Sequence, residues 1–279
     1  MKDVMARSVA ERAMSELVRR TISAVVLAPV ALGAVYYGGP WFAVVVAAVA
    51  AIATFEWTRL AIGRSPGTDF GLAVTFVVGA IVAQALSSSS VALALLAVGA
   101  ISVMVVSFLS DAPDRLGRTG LALGVPLIGV PAVALVWLRA DPLTGRGMIF
   151  WLLAVVWAVD IGAYAFGRLI GGPRLAPAIS PGKTWAGLLG GLACGAAVGF
   201  SVSYVVGQPV DATLALASLG LGIVAQLGDL GESWVKRRAG AKDSGDLIPG
   251  HGGVLDRIDG LWPAAAVLGL LILVGTQVA

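Results

Sequence analysis

The sequence predicts an all-α, polytopic integral membrane protein with about nine transmembrane helices. Of its 279 residues, 58% are hydrophobic and only 13% are charged, whereas about 25% of the residues in a soluble domain are charged. The apolar residues come in repeated runs of about 20, the length that an α-helix needs to cross a bilayer. The one cysteine, Cys194, lies within such a run, so the chain has no disulfide framework.

Turn-forming residues separate the apolar runs and define the predicted spans. Gly38-Gly39-Pro40 ends the first run, and the serines at 87–90 end the third. We expect residues 21–279 to form a single transmembrane domain. Its spans are predicted at approximately 21–38, 41–62, 71–86, 91–109, 121–138, 148–168, 184–207, 212–233 and 262–278.

Residues 1–20 differ from the rest because they are charged and lack the apolar core of a signal peptide. Their valines, Met14 and Leu17 provide one weakly apolar face. We expect an amphipathic arm that lies on the cytoplasmic surface of the membrane, with a solvated tail as the alternative.

The positions of the basic residues predict how the chain is oriented. If the arm is cytoplasmic and the spans alternate, only Arg139 and Arg146 of the 19 lysines and arginines fall on the outer side. The carboxy terminus is then outside, and both polar regions described below lie on the cytoplasmic face.

The main polar region, residues 228–260, contains a dense mixture of both charges in an otherwise apolar chain. Carboxylates with neighbouring cations suit the binding of a divalent metal together with phosphate. Asp229 and Glu232 are three residues apart and share a helix face, and Asp256 and Asp259 would do the same. The charged residues and the sole histidine are Asp229, Glu232, Lys236, Arg237, Arg238, Lys242, Asp243, Asp246, His251, Asp256, Arg257 and Asp259.

A second polar region follows the sixth predicted span and ends in Gly182-Lys183-Thr184. These residues resemble the end of a P-loop, but Pro177 stands where its first glycine is required and no strand precedes it. We therefore expect a basic loop that enters a helix, with Ser180 and Thr184 as candidate N-caps. A helix N-terminus attracts phosphate, although ordinary capping would explain the same residues.

Besides Asp229 and Glu232 near the end of the eighth span, two carboxylates fall inside predicted spans, where a charge is costly and usually functional. For Asp160 we favour a functional role. For Glu56 we favour a structural one, as the partner of Arg59 one helical turn on.

The main region resembles the signature of the phosphatidate cytidylyltransferases, also called CDP-diacylglycerol synthases. The matching residues are Ser233, Lys236-Arg237, Lys242-Asp243, Pro249-Gly250-His251-Gly252-Gly253 and Asp256-Arg257-Ile258-Asp259. The run from Ser180 to Trp185 is similar to a second characteristic stretch of that family. The resemblance covers roughly residues 150–262 and is far more specific than a short glycine motif.

The resemblance implies that residues 21–279 are a catalytic domain in phospholipid biosynthesis, with 229–260 as its signature region. The implied reaction transfers the cytidylyl group of CTP to phosphatidate and yields CDP-diacylglycerol and pyrophosphate. The implied catalytic residues are Asp229, Lys236, His251, Asp256 and Arg257. The implied substrate-binding residues are Ser180, Lys183, Thr184, Ser233, Arg237, Lys242, Asp243, Gly252 and Gly253.

Oxygen-rich carboxylates favour Mg²⁺, and a lone histidine without cysteines disfavours zinc. We expect Asp229, Asp256 and Asp259 to hold the metal, with a second cation left open. For His251, the roles of proton carrier, phosphate contact and metal ligand all stay open. The expected partners are CTP and phosphatidate in the plasma membrane, with no nucleic acid and a homodimer left open.

Two alternatives remain at this point. One is another polytopic phosphotransferase that uses CTP or a polyprenyl phosphate, although those families lack the His-Gly-Gly-x-x-Asp-Arg-x-Asp ending. The other is a cation-coupled transporter, which would carry charges at the membrane midplane. The clustering of charge at one face disfavours a transporter.

Overall fold

The structure is a computed structural model that describes residues 25–63, 67–109, 116–205, 212–247 and 252–278. The predicted amphipathic arm, 1–20, lies outside the described residues, as does His251.

Helices dominate the described residues. Seven are long and apolar enough to cross a membrane, and two shorter apolar helices lie near the ends of the chain. The all-α membrane fold is thereby confirmed, with the predicted nine spans as an approximate number. The helices are α1 (Val25–Tyr37), α2 (Gly39–Ile62), α3 (Thr68–Ala85), α4 (Ser89–Leu109), α5 (Gly117–Ala140), α6 (Gly145–Leu169), α7 (Trp185–Val205), α8 (Ala212–Arg238), α9 (Leu255–Ile258) and α10 (Leu261–Val278).

Helix α5 lies at the centre of the bundle. It packs against α2, α3, α4 and α10. In its apolar 18-residue stretch 67% of the residues are buried, compared with 28% in the corresponding stretches of α4 and α8. Two tryptophan side chains from neighbouring helices donate hydrogen bonds to its backbone. Trp57 of α2 donates a hydrogen bond to Gly120 O (3.1 Å), and Trp262 of α10 donates one to Ile128 O (2.9 Å).

The two arginines predicted on the outer side lie at one end of this bundle, beside the turn between α1 and α2. Arg139 donates from Nε to Val35 O (2.6 Å) and from Nη2 to Tyr36 O (3.1 Å), so it caps the carboxy end of α1. The Arg146 guanidinium lies over the Tyr36 ring, 5.2 Å from its centroid. Gly38 has a positive φ of 65°, and a side chain there would collide with Arg139.

The backbones of α6 and α7 approach each other so closely that only glycine fits at two of the contact positions. A Cβ added to Gly187 would lie 2.8 Å from Ala163 O, and one added to Gly191 would lie 2.6 Å from Val159 O. Small residues permit this backbone approach between membrane helices. The packing brings the part of α6 that carries Asp160 next to the beginning of α7.

The connection between α6 and α7 differs from the predicted loop. It is a two-stranded antiparallel hairpin, in which β1 (Arg174–Ala176) pairs with β2 (Ser180–Thr184). The prediction that Ser180 caps a helix was wrong, because Ser180 opens β2. Thr184 does cap α7, since its Oγ1 accepts a hydrogen bond from Gly187 N (3.0 Å).

Candidate active site

A polar cavity of about 590 Å³ lies where α6, β2, α8 and α9 meet. Its charged lining comes from four separate parts of the chain, and uncharged groups of α6, α7 and α8 complete it. The lining residues are Asp160, Ala163, Tyr164, Leu175, Ser180, Gly182, Lys183, Thr184, Gly187, Leu188, Gln226, Asp229, Lys236, Asp243, Asp256, Arg257 and Asp259.

One ion pair joins the two polar regions at this cavity. Lys183 of β2 places its Nζ 2.6 Å from Asp229 Oδ2 on α8, and both side chains are largely shielded from solvent. A second contact runs from Arg237 Nε to Ile179 O in the hairpin turn (3.4 Å). The hairpin and α8 therefore contact each other directly, and both line the cavity.

Lys236 connects α8 to the loop before α9. Its Nζ lies 2.9 Å from Glu232 Oε2, one helical turn earlier, and 2.5 Å from Asp256 Oδ1. All three side chains are almost fully buried. An ion pair at this depth is favourable only when hydrogen bonds satisfy the remaining lone pairs.

The Asp256 carboxylate has such hydrogen bonds. Besides Lys236, it accepts from Ser244 N (3.0 Å), Ser244 Oγ (3.0 Å) and Gly253 N (2.8 Å). Burial alone would raise the pKa of Asp256, but the hydrogen bonds from Lys236 and Gly253 outweigh it and lower the pKa below its ordinary value. Asp256 is therefore held as a carboxylate anion.

Asp259 has the opposite electrostatic surroundings. Burial, followed by repulsion from Asp229, Glu232 and Asp160, raises the pKa of Asp259 to about 9. Asp259 therefore keeps its proton at neutral pH. Acidic groups are thus concentrated at this end of the cavity, and their mutual repulsion keeps Asp259 neutral.

A model of the cytidylyltransferase family matches residues 18–274.

The chain belongs to the cytidylyltransferase family.

Similar proteins include three bacterial phosphatidate cytidylyltransferases. The one from Brucella suis biovar 1 (strain 1330) is 42% identical over 257 residues, covering 91% of this chain and 93% of the relative. The one from Pseudomonas aeruginosa is 40% identical over 266 residues, covering 92% and 97%. The one from Haemophilus influenzae is 35% identical over 277 residues, covering 89% and 96%.

These matches confirm the resemblance to the phosphatidate cytidylyltransferases and correct its extent. We expected it over roughly 150–262, whereas the family match begins at residue 18. The amino-terminal spans therefore belong to the cytidylyltransferase fold as well.

The cavity of this cytidylyltransferase collects most, but not all, of the predicted site residues. Nine line it: Ser180, Lys183, Thr184, Asp229, Lys236, Asp243, Asp256, Arg257 and Asp259. Of the others, Ser233 donates a long hydrogen bond to Asp229 (3.5 Å), and Gly253 N donates to Asp256. Arg237, Lys242 and Gly252 do not line the cavity.

Among the described residues, no three carboxylate, imidazole or thiolate groups stand together as a ready metal site. The donor set nevertheless fits Mg²⁺, because it is made of carboxyl oxygens, and a bound cation would offset the repulsion that raises the pKa of Asp259. Of the predicted ligands, Asp229 is paired with Lys183 and Asp256 with Lys236, while Asp259 Oδ1 accepts from Gly260 N (2.8 Å).

Sequence reasoning missed two polar residues in or next to this site and misread a third. Gln226 lies one helical turn before Asp229 and donates from Nε2 to Asp160 Oδ1 (3.4 Å); its position inside an apolar span was a usable signal. Ser244 carried no signal, because serines are ordinary in loops. Glu56 was misread: it accepts its hydrogen bonds from Ser244, Val254 and Leu255 rather than pairing with Arg59.

Proposed function

We propose that this cytidylyltransferase transfers the cytidylyl group of CTP to phosphatidate and forms CDP-diacylglycerol and pyrophosphate. The contact between Lys183 and Asp229 carries the proposal, because it joins the two signature-like regions in one polar cavity. The relatives named above are phosphatidate cytidylyltransferases that match nearly all of the chain.

The cavity's cations would bind the phosphates of CTP. Lys183, Lys236 and Arg257 all line it and present donors to phosphate oxygens. Arg237 and Lys242 are exposed and do not line the cavity, and we propose that they meet the incoming substrates outside it. Ser180, Thr184, Ser233, Asp243 and the glycines 252 and 253 complete the proposed binding set.

The reaction itself needs positioning and charge stabilisation more than a protein nucleophile. An oxygen of the phosphatidate phosphate attacks the α-phosphorus of CTP in line, and the bond from that phosphorus to the β-phosphate oxygen breaks. Pyrophosphate leaves with the bonding electrons. No strong general base is required, because the attacking phosphate is already ionised. For His251 we propose a contact with the reacting phosphates.

Mg²⁺ is proposed as the cofactor, held by Asp229 and Asp259 with Asp256. Both Asp229 and Asp256 are now neutralised by a lysine. Phosphate oxygens that accept hydrogen bonds from Lys183 and Lys236 would free these carboxylates. When bound there, Mg²⁺ supplies neutralisation of the triphosphate and polarisation of the α-phosphorus.

We place the cavity on the cytoplasmic side of a multi-pass protein of the cell membrane. Arg139 and Arg146 lie beside the α1–α2 turn, whereas Lys183, Lys236 and Arg257 line the cavity. The positive-inside rule assigns the cation-rich side to the cytoplasm.

One labelling experiment tests the function. Purified protein is given phosphatidate vesicles, Mg²⁺ and CTP labelled at either the α- or the γ-phosphate. Lipid-phase label from the α-phosphate only is the expected result. Label from the γ-phosphate would indicate a kinase, and no lipid-phase label would contradict the proposal.

Two controls accompany this assay. Asp229→Asn and Asp256→Asn should abolish the transfer while the protein stays folded in the membrane. EDTA should stop the wild-type reaction, and added Mg²⁺ should restore it. Strong activity in either variant would make these aspartates structural.

A further inference from the structure

Glu56 is a buried carboxylate whose hydrogen-bond donors all lie far away in the sequence. It is on α2 and only 2% exposed. Its Oε1 accepts from Val254 N (2.9 Å), and its Oε2 accepts from Leu255 N (2.8 Å) and Ser244 Oγ (3.0 Å). These partners are 188 to 199 residues away in sequence.

The same short segments also hold Asp256. Ser244 N and Gly253 N donate to Asp256 Oδ2, at 3.0 and 2.8 Å. The next two backbone amides along the chain, those of Val254 and Leu255, donate their hydrogen bonds to Glu56 instead. The Ser244 hydroxyl lies 3.0 Å from each of the two carboxylates. The position of Glu56 thus sets the position of the backbone that surrounds Asp256.

The loop is built to admit the Glu56 carboxylate. A Cβ added to Gly245 would lie 2.7 Å from Glu56 Oε1, and one added to Gly253 would lie 2.6 Å from Glu56 Oε2. Neither glycine has a positive φ, so the need for glycine here is the close approach of the carboxylate. One turn later on α2, Arg59 donates to Ser244 O (3.3 Å).

We propose that Glu56 is a positioning residue, which holds the segments around Ser244 and Gly253 so that Asp256 and Lys236 keep their places in the cavity. This inference rests on the proposed catalytic role of Asp256. A glutamate that merely stabilised the bundle would change the melting temperature and leave turnover untouched.

The test compares Glu56→Gln with wild type. The amide keeps the size of the side chain, but its NH₂ faces donors of the loop and its charge is gone. Because a displacement of about 1 Å can cost about 100-fold in rate, we expect kcat to fall roughly 10- to 100-fold. The KM for CTP should rise by no more than about threefold, because Lys236 is the only one of the three proposed phosphate-binding cations that pairs with Asp256.

Thr54→Val is the matched control. Thr54 lies on the same helix and is also 2% exposed, but its hydroxyl donates only to Ala50 O within α2 (2.7 Å). It should retain the wild-type kcat. Amide hydrogen exchange gives a second reading: protection of Val254 and Leu255 should drop in Glu56→Gln and persist in Thr54→Val.

The outcomes separate this inference from the proposed function. If wild type transfers no cytidylyl group, the function fails. The positioning role is wrong if the wild type is active and Asp256→Asn is inactive, but Glu56→Gln keeps the wild-type kcat. Unchanged protection of Val254 and Leu255 would also overturn it. If Glu56→Gln does not fold, Ser244→Ala decides: we expect a kcat at least about fivefold lower, and wild-type turnover refutes the proposal.

Discussion

The Lys183 ammonium lies 2.6 Å from the Asp229 carboxylate, although the two residues belong to separate polar regions of the sequence. Lys183 is in β2, the second strand of the hairpin, whereas Asp229 lies about two-thirds of the way along α8. The pair can form because α7 leads the chain away from the hairpin and α8 leads it back to the side on which Lys183 lies. In addition, α7 packs tightly on α6. This arrangement places a phosphate-binding lysine and a candidate metal ligand in the same cavity.

Replacing Lys183 tests whether the hairpin contributes to the nucleotide site. Lys183→Ala should weaken CTP binding by about 1.5–3 kcal/mol, because a charge-assisted hydrogen bond is lost. That corresponds to a roughly ten- to hundredfold higher dissociation constant, measurable by titration calorimetry. Arg238→Ala is the control, since Arg238 stacks on Trp234 and does not line the cavity. An unchanged affinity would confine the nucleotide site to 229–260.

Removing the Lys236 charge should destabilise the protein itself. Lys236→Met leaves Glu232 and Asp256 buried without their shared cation, which typically costs about 3–5 kcal/mol. Lys183→Met should cost about 1 kcal/mol or less, because its partner Asp229 is more exposed. Thermal unfolding in detergent measures both. Equal losses in the two variants would mean that the Lys236 pairs are not the stabilising contact.

Asp259 predicts a pH dependence of stability. The folded protein raises the pKa of this carboxyl to about 9, so between about pH 4 and that value the folded state binds more protons than the unfolded state. Its contribution is therefore fully present below about pH 4 and is lost as the pH rises. In EDTA, Asp259→Asn should melt above wild type at pH 8, and the gap should shrink towards pH 5. A constant gap across this range would contradict the electrostatic origin.

The charge distribution predicts the topology. A reporter fused after Ala279 should lie on the outer side of the membrane, and one inserted near Gly245 should lie on the cytoplasmic side. Alkaline phosphatase and fluorescent-protein fusions report the two sides. If both positions fall on the same side, the last predicted span does not cross the membrane and the nine-span topology is wrong.

Hydropathy and turn residues predicted the helices well, because a helix must present a bilayer-length apolar surface wherever it crosses. The predicted span 41–62 corresponds to α2 (Gly39–Ile62), and 148–168 to α6 (Gly145–Leu169). The predicted end of α8 was too early. Its apolar run ends near 233, but the helix continues to Arg238, and Lys236 in this added turn lines the cavity.

The sequence by itself determined the membrane class, the spans and the residues that could bind metal and phosphate, because each of these depends on local composition and spacing. Only the tertiary structure decided which of those residues meet. The pairing of Lys183 with Asp229 and the attachment of Glu56 to the segments around Asp256 both depend on helices distant in sequence. A buried carboxylate looks the same in a sequence whether it pairs with a neighbour one turn away or with backbone amides nearly 200 residues on. Packing of α2 against the loop before α9 selects between the two, because burial leaves Glu56 only the donors that this loop supplies.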